Sequence, residues 1–161
     1  MDKPVLAEEL IIFPQNEDAQ TDEQVIRLLC ARLAEHGYIE PSYQEDVLQR
    51  EREFPTALPT KPFPTAIPHA DHSAVLTEGS ALAILSHPVG FKSMEDPSVS
   101  LEVRLVWLLA IKEPSRQVPT LQWIAELLQD QHVLAKLTAS RDASEAMNVL
   151  QPLIKTQARP A

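Results

Sequence analysis

Residues 53–71 read EFPTALPTKPFPTAIPHAD, and this stretch decides how the chain folds. Five prolines fall between Pro55 and Pro68. Because proline lacks a backbone N–H and has a fixed φ, neither a regular helix nor a central strand tolerates this density. Apolar residues recur along the stretch and favour its burial: Phe54, Leu58, Phe63 and Ile67. The stretch therefore predicts a long structured loop that ends in a short strand.

Two helices are predicted before this loop. Residues 21–36 carry apolar side chains at helical spacing, with Thr21 as the cap and Gly37 as the stop. Ser42 and Glu45 form a capping-box pattern, which predicts that a second helix begins there and runs into the loop.

Strands and further helices are predicted after the loop. Residues 80–86 and 101–111 are apolar enough to be strands covered on both faces, the buried kind found in α/β sheets. Residues 121–129, after Pro119, have helical spacing, and residues 142–153 predict another short helix. Helices that alternate with buried strands indicate an α/β layered domain.

The composition limits the classes of partner. At 161 residues the chain predicts one domain, and its 23 acidic against 14 basic residues give a formal net charge of −9. A nucleic-acid site needs clustered Lys and Arg, so no nucleic-acid partner is expected. The apolar runs fall far short of the ~20 residues that span a bilayer, and the opening MDKPVLAEEL does not resemble a secretory signal. We expect a soluble, cytoplasmic protein with no direct membrane insertion.

Several familiar catalytic motifs are missing from the sequence. One cysteine excludes an intramolecular disulfide and a Cys-rich zinc site. The sequence contains no Gly-x-Ser-x-Gly motif, and its three glycines form neither a P-loop nor a dinucleotide fingerprint.

His69 is the histidine that points most strongly to a site. It follows Pro68 at the end of a short apolar run, and α/β sheets keep their sites at strand ends. A structural place is expected for His36 at a helix C-terminus, for His87 at a strand end and for His132 in the first turn of a late helix. A single exposed histidine suffices for one chemistry, because a neutral imidazole can attack a phosphoryl group and hold it as phosphohistidine.

The tetrapeptide His69-Ala70-Asp71-His72 leaves an alternative open. It fits the end of the metallo-β-lactamase zinc signature, in which a further histidine would stand at the place of Ile67. A zinc hydrolase that uses His69, Asp71 and His72 is therefore the second hypothesis.

Two motifs in register carry a family resemblance. Residues 50–57 read REREFPTA, and after eight residues, residues 66–70 read AIPHA. This pattern resembles the enzyme IIA domain of the fructose/mannitol class in the bacterial phosphoenolpyruvate-dependent sugar phosphotransferase system, and it looks closest to the galactitol-type branch. The resemblance covers residues 5–153 and implies a single-domain α/β fold with a mixed β-sheet flanked by helices.

The resemblance also implies a function and its residues. His69 would accept a phosphoryl group from the histidine-containing phosphocarrier protein, hold it as tele-phosphohistidine, and pass it to a cysteine of a cognate enzyme IIB. The membrane enzyme IIC would be an indirect partner in uptake of a sugar or sugar alcohol. Arg50 would pair with the phosphoryl oxygens, and no metal or organic cofactor would be needed.

One departure from the mannitol-type pattern concerns a second histidine. Members of that type carry it after the strand that corresponds to residues 101–111, whereas residues 112–118 here read KEPSRQV. Arg116 or Gln117 is the candidate replacement donor, and the missing histidine agrees with the galactitol-type branch.

Two further questions stay open at this point. The same fold and histidine would also serve a regulatory phosphoprotein, whose phosphorylation state controls another protein. Phe54, Phe63 and Pro64 near the loop are expected either in a docking face or in ordinary core packing.

Overall fold

The computed structural model of the protein describes residues 3–154. The helices are α1 Asp22–Glu35, α2 Tyr43–Glu53, α3 Pro114–Leu127, α4 Gln131–Ala139 and α5 Ala143–Leu150. The strands are β1 Ile11–Ile12, β2 Ala57–Leu58, β3 Thr65–Ala66, β4 Gly79–Lys92 and β5 Ser100–Ala110. Short 3-10 helices lie at Glu8–Leu10, Asn16–Asp18, His72–Ala74 and Gln151–Leu153.

The strands form one mixed sheet in the order β1-β4-β5-β3-β2. The long strands β4 and β5 pair antiparallel at its centre, β1 runs parallel to β4, and β3 runs parallel to β5. The short strand β2 closes the other edge antiparallel to β3. A single-domain α/β fold with a mixed sheet is thus confirmed.

The two central strands form the core, as predicted for apolar strands with both faces covered. The first seven residues of β4 and the last six of β5 are buried. The largest of these side chains, Trp107, is fully buried and donates its indole N–H to the Ser80 hydroxyl at 2.9 Å. Ser80 in turn donates to the carbonyl of Val5 at 2.7 Å, so the buried side-chain polar atoms of Trp107 and Ser80 are paired.

Helix α1 has the predicted ends. The Thr21 side chain accepts from the backbone N–H of Gln24, and the Gln24 side chain accepts from the backbone N–H of Thr21, which makes a full capping box. The helix stops at His36, and Gly37 follows with a φ of 81°, a conformation that glycine adopts without steric cost. His36 therefore has its predicted position.

The predicted cap of α2 is wrong, although the helix itself is present. Ser42 has helical backbone angles and its side chain makes no capping hydrogen bond. Glu45 instead forms a surface ion pair with Arg27 at 3.5 Å.

Among the later helices, α3 begins earlier than predicted. Helix α3 begins at Pro114, whose fixed φ suits a first helical turn, and it continues through Pro119 rather than starting after it. Helix α4 has His132 in its first turn, as predicted, and α5 with the 3-10 helix Gln151–Leu153 accounts for the predicted helix at residues 142–153.

The proline-rich stretch is an ordered loop with two short strands. The prediction of a terminal strand is confirmed by β3, and β2 pairs with it as an unpredicted partner. Within the turn, the Thr60 hydroxyl lies 2.9 Å from both the Phe63 carbonyl and the Thr65 hydroxyl.

His87 is not at a strand end. It lies within β4, where the pairing with β5 changes register between Ile84 and Val89. Among residues 3–154, no helix has the length and apolar character that a membrane span requires.

Candidate functional site

His69 lies just past the carboxyl end of β3. Because β3 and β5 are parallel, their ends meet at the same edge of the sheet, and the backbone N–H of Leu109 donates to the Pro68 carbonyl at 3.0 Å. The strand register thus fixes the residue before the histidine. His69 itself is 8% exposed, so only a small part of its ring reaches the surface.

One hydrogen bond sets the tautomer of His69. Its Nδ1 lies 2.9 Å from the carbonyl oxygen of Ile67, and since a carbonyl only accepts, Nδ1 carries the proton. Nε2 then keeps its lone pair for attack on an electrophile. Burial, chiefly, and the positive charge of Arg50 lower the pKa of His69, while the Ile67 hydrogen bond opposes them. The imidazole is therefore neutral at pH 7.

Tyr43 holds the loop after the histidine. Its hydroxyl accepts from the backbone N–H of Ala70 at 3.1 Å and donates to the carbonyl of Leu109 at 2.7 Å. Burial raises the pKa of Tyr43, so the hydroxyl stays protonated and able to donate. The sequence analysis missed this residue, whose only signal was an aromatic side chain on the buried face of α2.

Arg50 lies on helix α2, near enough to His69 for its positive charge to lower the pKa of the imidazole. Its guanidinium carbon is 5.3 Å from the centre of the Phe54 ring, a cation–π arrangement that limits its conformations. In the described part of the chain no carboxylate forms an ion pair with Arg50. Its N–H groups are thus available to an anion.

A polar cavity of about 220 Å³ adjoins this arginine. It is lined by residues of α2 and of the loop after the histidine: Asp46, Gln49, Arg50, Glu53, Phe54, Ala70, Asp71 and Ser73. The cavity therefore joins the predicted phosphoryl-binding arginine to the loop that follows His69.

An apolar groove is lined by the histidine itself. It is also about 220 Å³ and is lined by His69 with Leu58, Ile67, Met94, Leu121, Gln122 and Ala125. His69 thus lines an open apolar groove, and the next residue, Ala70, lines the polar cavity, an arrangement suited to a reaction with a protein partner rather than with a small molecule enclosed in a pocket.

The two candidate replacement donors, Arg116 and Gln117, have different hydrogen-bond partners. Arg116 is committed elsewhere, because it donates twice to the Glu78 carboxylate at 2.8 Å and once to the Lys3 carbonyl at 3.2 Å. Gln117 donates from Nε2 to the Ala70 carbonyl at 3.3 Å and therefore borders the histidine loop.

The three suggested docking residues also differ. Phe54 is 60% exposed beside Arg50. Phe63 packs against the core with Arg104 stacked 5.7 Å from its ring centre, and Pro64 is half-buried. Of the three, Phe54 alone is largely exposed, and it lies next to Arg50.

The residues of the zinc hypothesis do not converge. Asp71 caps the 3-10 helix His72–Ala74 by accepting from the backbone N–H and the hydroxyl of Ser73, which lowers the pKa of its carboxyl group. His72 is exposed on that helix. Within residues 3–154, no three His, Cys, Asp or Glu side chains are grouped closely enough to hold a metal ion. The geometry therefore does not support the zinc hydrolase.

Comparison with known proteins agrees with this geometry. The sequence matches the family model described as phosphoenolpyruvate-dependent sugar phosphotransferase system, EIIA 2, over residues 4–152. A comparison with curated protein sequences gives no significant match.

Several solved structures are similar. The IIA mannitol protein of Escherichia coli has 27% identity and a TM-score of 0.72, over 89% of this chain and 97% of that one. The complex of enzyme IIAMTL with phosphorylated enzyme IIBMTL from Escherichia coli has 27% identity and a TM-score of 0.71, over 91% and 96%. The nitrogen regulatory protein IIA-Ntr of Neisseria meningitidis shares the fold, with 18% identity and a TM-score of 0.68 over 90% and 95%.

The family match spans nearly the whole chain, and the mixed sheet agrees with the mannitol-type IIA fold. The chain therefore belongs to the EIIA type 2 family of the phosphoenolpyruvate-dependent sugar phosphotransferase system and is a component of its phosphoryl relay.

Proposed function

We propose that His69 carries the phosphoryl group of this relay on Nε2. The observation that carries the proposal is the 2.9 Å contact between His69 Nδ1 and the Ile67 carbonyl, which leaves Nε2 unprotonated. The donor is the phosphohistidine of the histidine-containing phosphocarrier protein. Nε2 attacks its phosphorus, the P–N bond to the donor breaks, and the donor imidazole leaves.

The second transfer runs from His69 to enzyme IIB. A cysteine thiolate of IIB attacks the phosphorus, and the P–N bond to Nε2 breaks, which restores the neutral imidazole with its proton still on Nδ1. This acceptor is supported by the similarity to enzyme IIAMTL, whose solved complex contains phosphorylated enzyme IIBMTL. IIC, which carries the sugar, is an indirect partner.

Arg50 stabilises the phosphoryl group in this proposal. Phosphohistidine carries close to two negative charges near neutral pH, by analogy with other phosphorylated side chains. In a chain of net charge −9, a nearby cation that forms no ion pair within the described residues lowers the free energy of that species. The location of Arg50 in the cavity that reaches Ala70 supports this role.

Three finer assignments belong to the same proposal. The relay domain spans residues 5–153, and the chain belongs to the galactitol-type branch, with a related sugar or sugar alcohol as the other possible cargo. The REREFPTA motif and the lack of a histidine in residues 112–118 support this branch. Gln117, next to Ala70, takes the place of the missing donor.

Intact mass spectrometry tests the proposal. The protein is incubated with phosphoenolpyruvate, enzyme I and the phosphocarrier, and we expect the mass of one phosphoryl group, labile in acid and stable in base. Addition of the cognate enzyme IIB should then remove it. Acceptance without onward transfer would favour the regulatory phosphoprotein, and no acceptance would reject the role of His69.

A further inference from the structure

A carboxylic acid is buried beneath the histidine loop. Glu51 lies on the inner face of α2 and is 7% exposed. Both of its oxygens are hydrogen-bonded to one residue of the proline-rich loop: Oε2 accepts from the Thr56 backbone N–H at 3.0 Å, and Oε1 accepts from the Thr56 hydroxyl at 2.9 Å. Burial of an acid at this position needs such partners, because an unpaired carboxylate in the core is strongly destabilising.

The hydrogen bonds continue from Thr56 to the histidine. The Thr56 hydroxyl accepts from the backbone N–H of Ile67 at 3.2 Å, and the Ile67 carbonyl accepts from His69 Nδ1 at 2.9 Å. A hydroxyl group has a single proton to donate, and the Thr56 hydroxyl donates it to Glu51 Oε1. The lone pairs of Thr56 therefore face Ile67, and every donor in the chain points from His69 towards Glu51.

The charged groups around Glu51 come from three elements. Asp22 and Glu23 on α1, Arg52 on α2 and Lys92 on β4 line a cavity of about 340 Å³ next to it. Arg52 is paired with Glu23 at 3.1 Å. Desolvation by burial and, to a smaller extent, the negative charge of Asp22 raise the pKa of Glu51 to about 7. Both protonation states of Glu51 are thus populated near neutral pH.

We propose that Glu51 is a positioning residue for His69, because its ionised carboxylate holds Thr56 and, through Ile67, the carbonyl that fixes the reactive tautomer. Ile67 is followed by Pro68, which has no N–H to anchor the loop, so the bond from the Ile67 N–H to Thr56 takes on that task. The kinetic consequence rests on the proposed function, whereas the structural consequence does not.

Protonation of Glu51 disrupts its hydrogen bonds with Thr56. An ionised carboxylate accepts from both donors of Thr56, whereas a carboxylic acid brings a third donor to the same place. Thr56 then turns its hydroxyl or shifts, and Ile67 loses its anchor. Among the neutral His69 rings, the fraction with the proton on Nδ1 should therefore fall as the pH drops below about 7.

The first experiment needs no phosphoryl donor. Nitrogen-15 NMR of the imidazole gives the tautomer of His69 in the wild type, Glu51→Gln, Thr56→Val and the surface control Glu45→Gln, which lies on the same helix. At pH 8 we expect the Nδ1–H form in the wild type and control, and a mixture of tautomers in the other two. Identical His69 tautomer populations in all four proteins would overturn the proposal.

The wild type alone gives a second readout, in case the core variants fold poorly. The amide N–H of Thr56 donates directly to Glu51, so its chemical shift should titrate with a midpoint near 7. A Thr56 amide shift that stays constant between pH 5.5 and 8.5 would also overturn the proposal.

A rate measurement separates positioning from general damage. With the same phosphocarrier, we expect the wild type to accept the phosphoryl group roughly tenfold faster than Glu51→Gln at pH 8, the effect of about one hydrogen bond. That ratio should approach one below pH 6, where wild-type Glu51 is protonated. A ratio independent of pH would mean a structural role only and would overturn the proposal. If the wild type itself accepts no phosphoryl group, the proposed function fails. The two NMR measurements, which need no phosphoryl donor, still decide the role of Glu51.

Discussion

The Tyr43 hydroxyl lies 2.7 Å from the carbonyl oxygen of Leu109, so a side chain of α2 is bonded to the end of the central strand β5. The same hydroxyl accepts from the backbone N–H of Ala70. One buried phenol thus ties a helix, a strand and the loop after His69 together, and it fixes the position of the helix that carries Arg50 relative to the loop that carries the histidine.

Tyr43→Phe should therefore lower stability by about 1–3 kcal/mol, because the buried carbonyl of Leu109 and N–H of Ala70 each lose a partner. Chemical denaturation of wild type and variant measures this difference in the free energy of unfolding. A change below about 0.5 kcal/mol would mean that water or a shifted side chain replaces both bonds.

His69→Ala should abolish phosphoryl acceptance, whereas the neighbouring variant His72→Ala should keep most of it. His72 is exposed on the short 3-10 helix and has no role in the bonds that hold the imidazole of His69. Intact mass after incubation with the donor system gives both results. Equal loss in the two variants would restore a paired or metal-bound site as the better hypothesis.

Arg50→Ala should slow phosphoryl transfer by a factor of about thirty to one hundred, which corresponds to about 2–3 kcal/mol for a charge-assisted hydrogen-bond pair. Arg50→Lys should recover part of the rate, since an ammonium lacks the planar fork of the guanidinium. Stopped-flow transfer from the phosphocarrier is the measurement, and Arg27→Ala, which removes a surface cation paired with Glu45, is the control. Equal rates in all four proteins would make Arg50 a surface cation only.

The stability of the wild type should depend on pH through Glu51. Its pKa is raised from 4.5 in the unfolded chain to about 7 in the fold, so its contribution to stability is fully present below pH 4.5 and is lost as the pH rises through 7. Relative to Glu51→Gln, the wild type should therefore become less stable between pH 5 and pH 8. Urea unfolding at both pH values tests this, and a difference between the proteins that does not change with pH contradicts it.

Gly79→Ala should destabilise the protein by about 1–3 kcal/mol, because a Cβ at this position would overlap the ring of Tyr38. Gly90→Ala is a matched control in the same strand, since its Cβ would meet only the flexible hydroxyl of Ser100, at 2.8 Å. Thermal melts should show a clearly larger loss for Gly79→Ala. Similar losses for the two variants would mean that the Tyr38 ring moves aside freely.

Local signals predicted most of the fold. Thr21 and Gly37 mark the ends of α1 by chemistry contained within a few residues, so the sequence analysis placed that helix correctly. Ser42 has the same type of signal but keeps helical backbone angles, and its side chain makes no cap. His87 was misplaced because the register change in β4 depends on pairing with β5, which a local pattern does not contain.

The candidate site was predicted in part for the same reason. His69 stood out by its place at the end of a short apolar run, and the family resemblance then supported it, whereas Arg50 was predicted by resemblance alone. Tyr43 is bonded to Leu109 of β5 and to Ala70, and contacts between segments distant in sequence leave no local pattern. Glu51 is bonded to Thr56 only five residues away, but its burial and the bond from Ile67 to Thr56 depend on how the loop folds. They could be recognised only once the fold had brought those segments together.

The slight exposure of His69 has a consequence for the rate of phosphoryl transfer. In the proposed function, the phosphoryl donor and the phosphoryl acceptor have to reach the same slightly exposed histidine, so they compete for one approach. Each partner has to dissociate before the next can dock, so a long residence time of either one would slow phosphoryl transfer. A histidine recessed in this way therefore selects for brief encounters and rapid dissociation rather than for tight complexes.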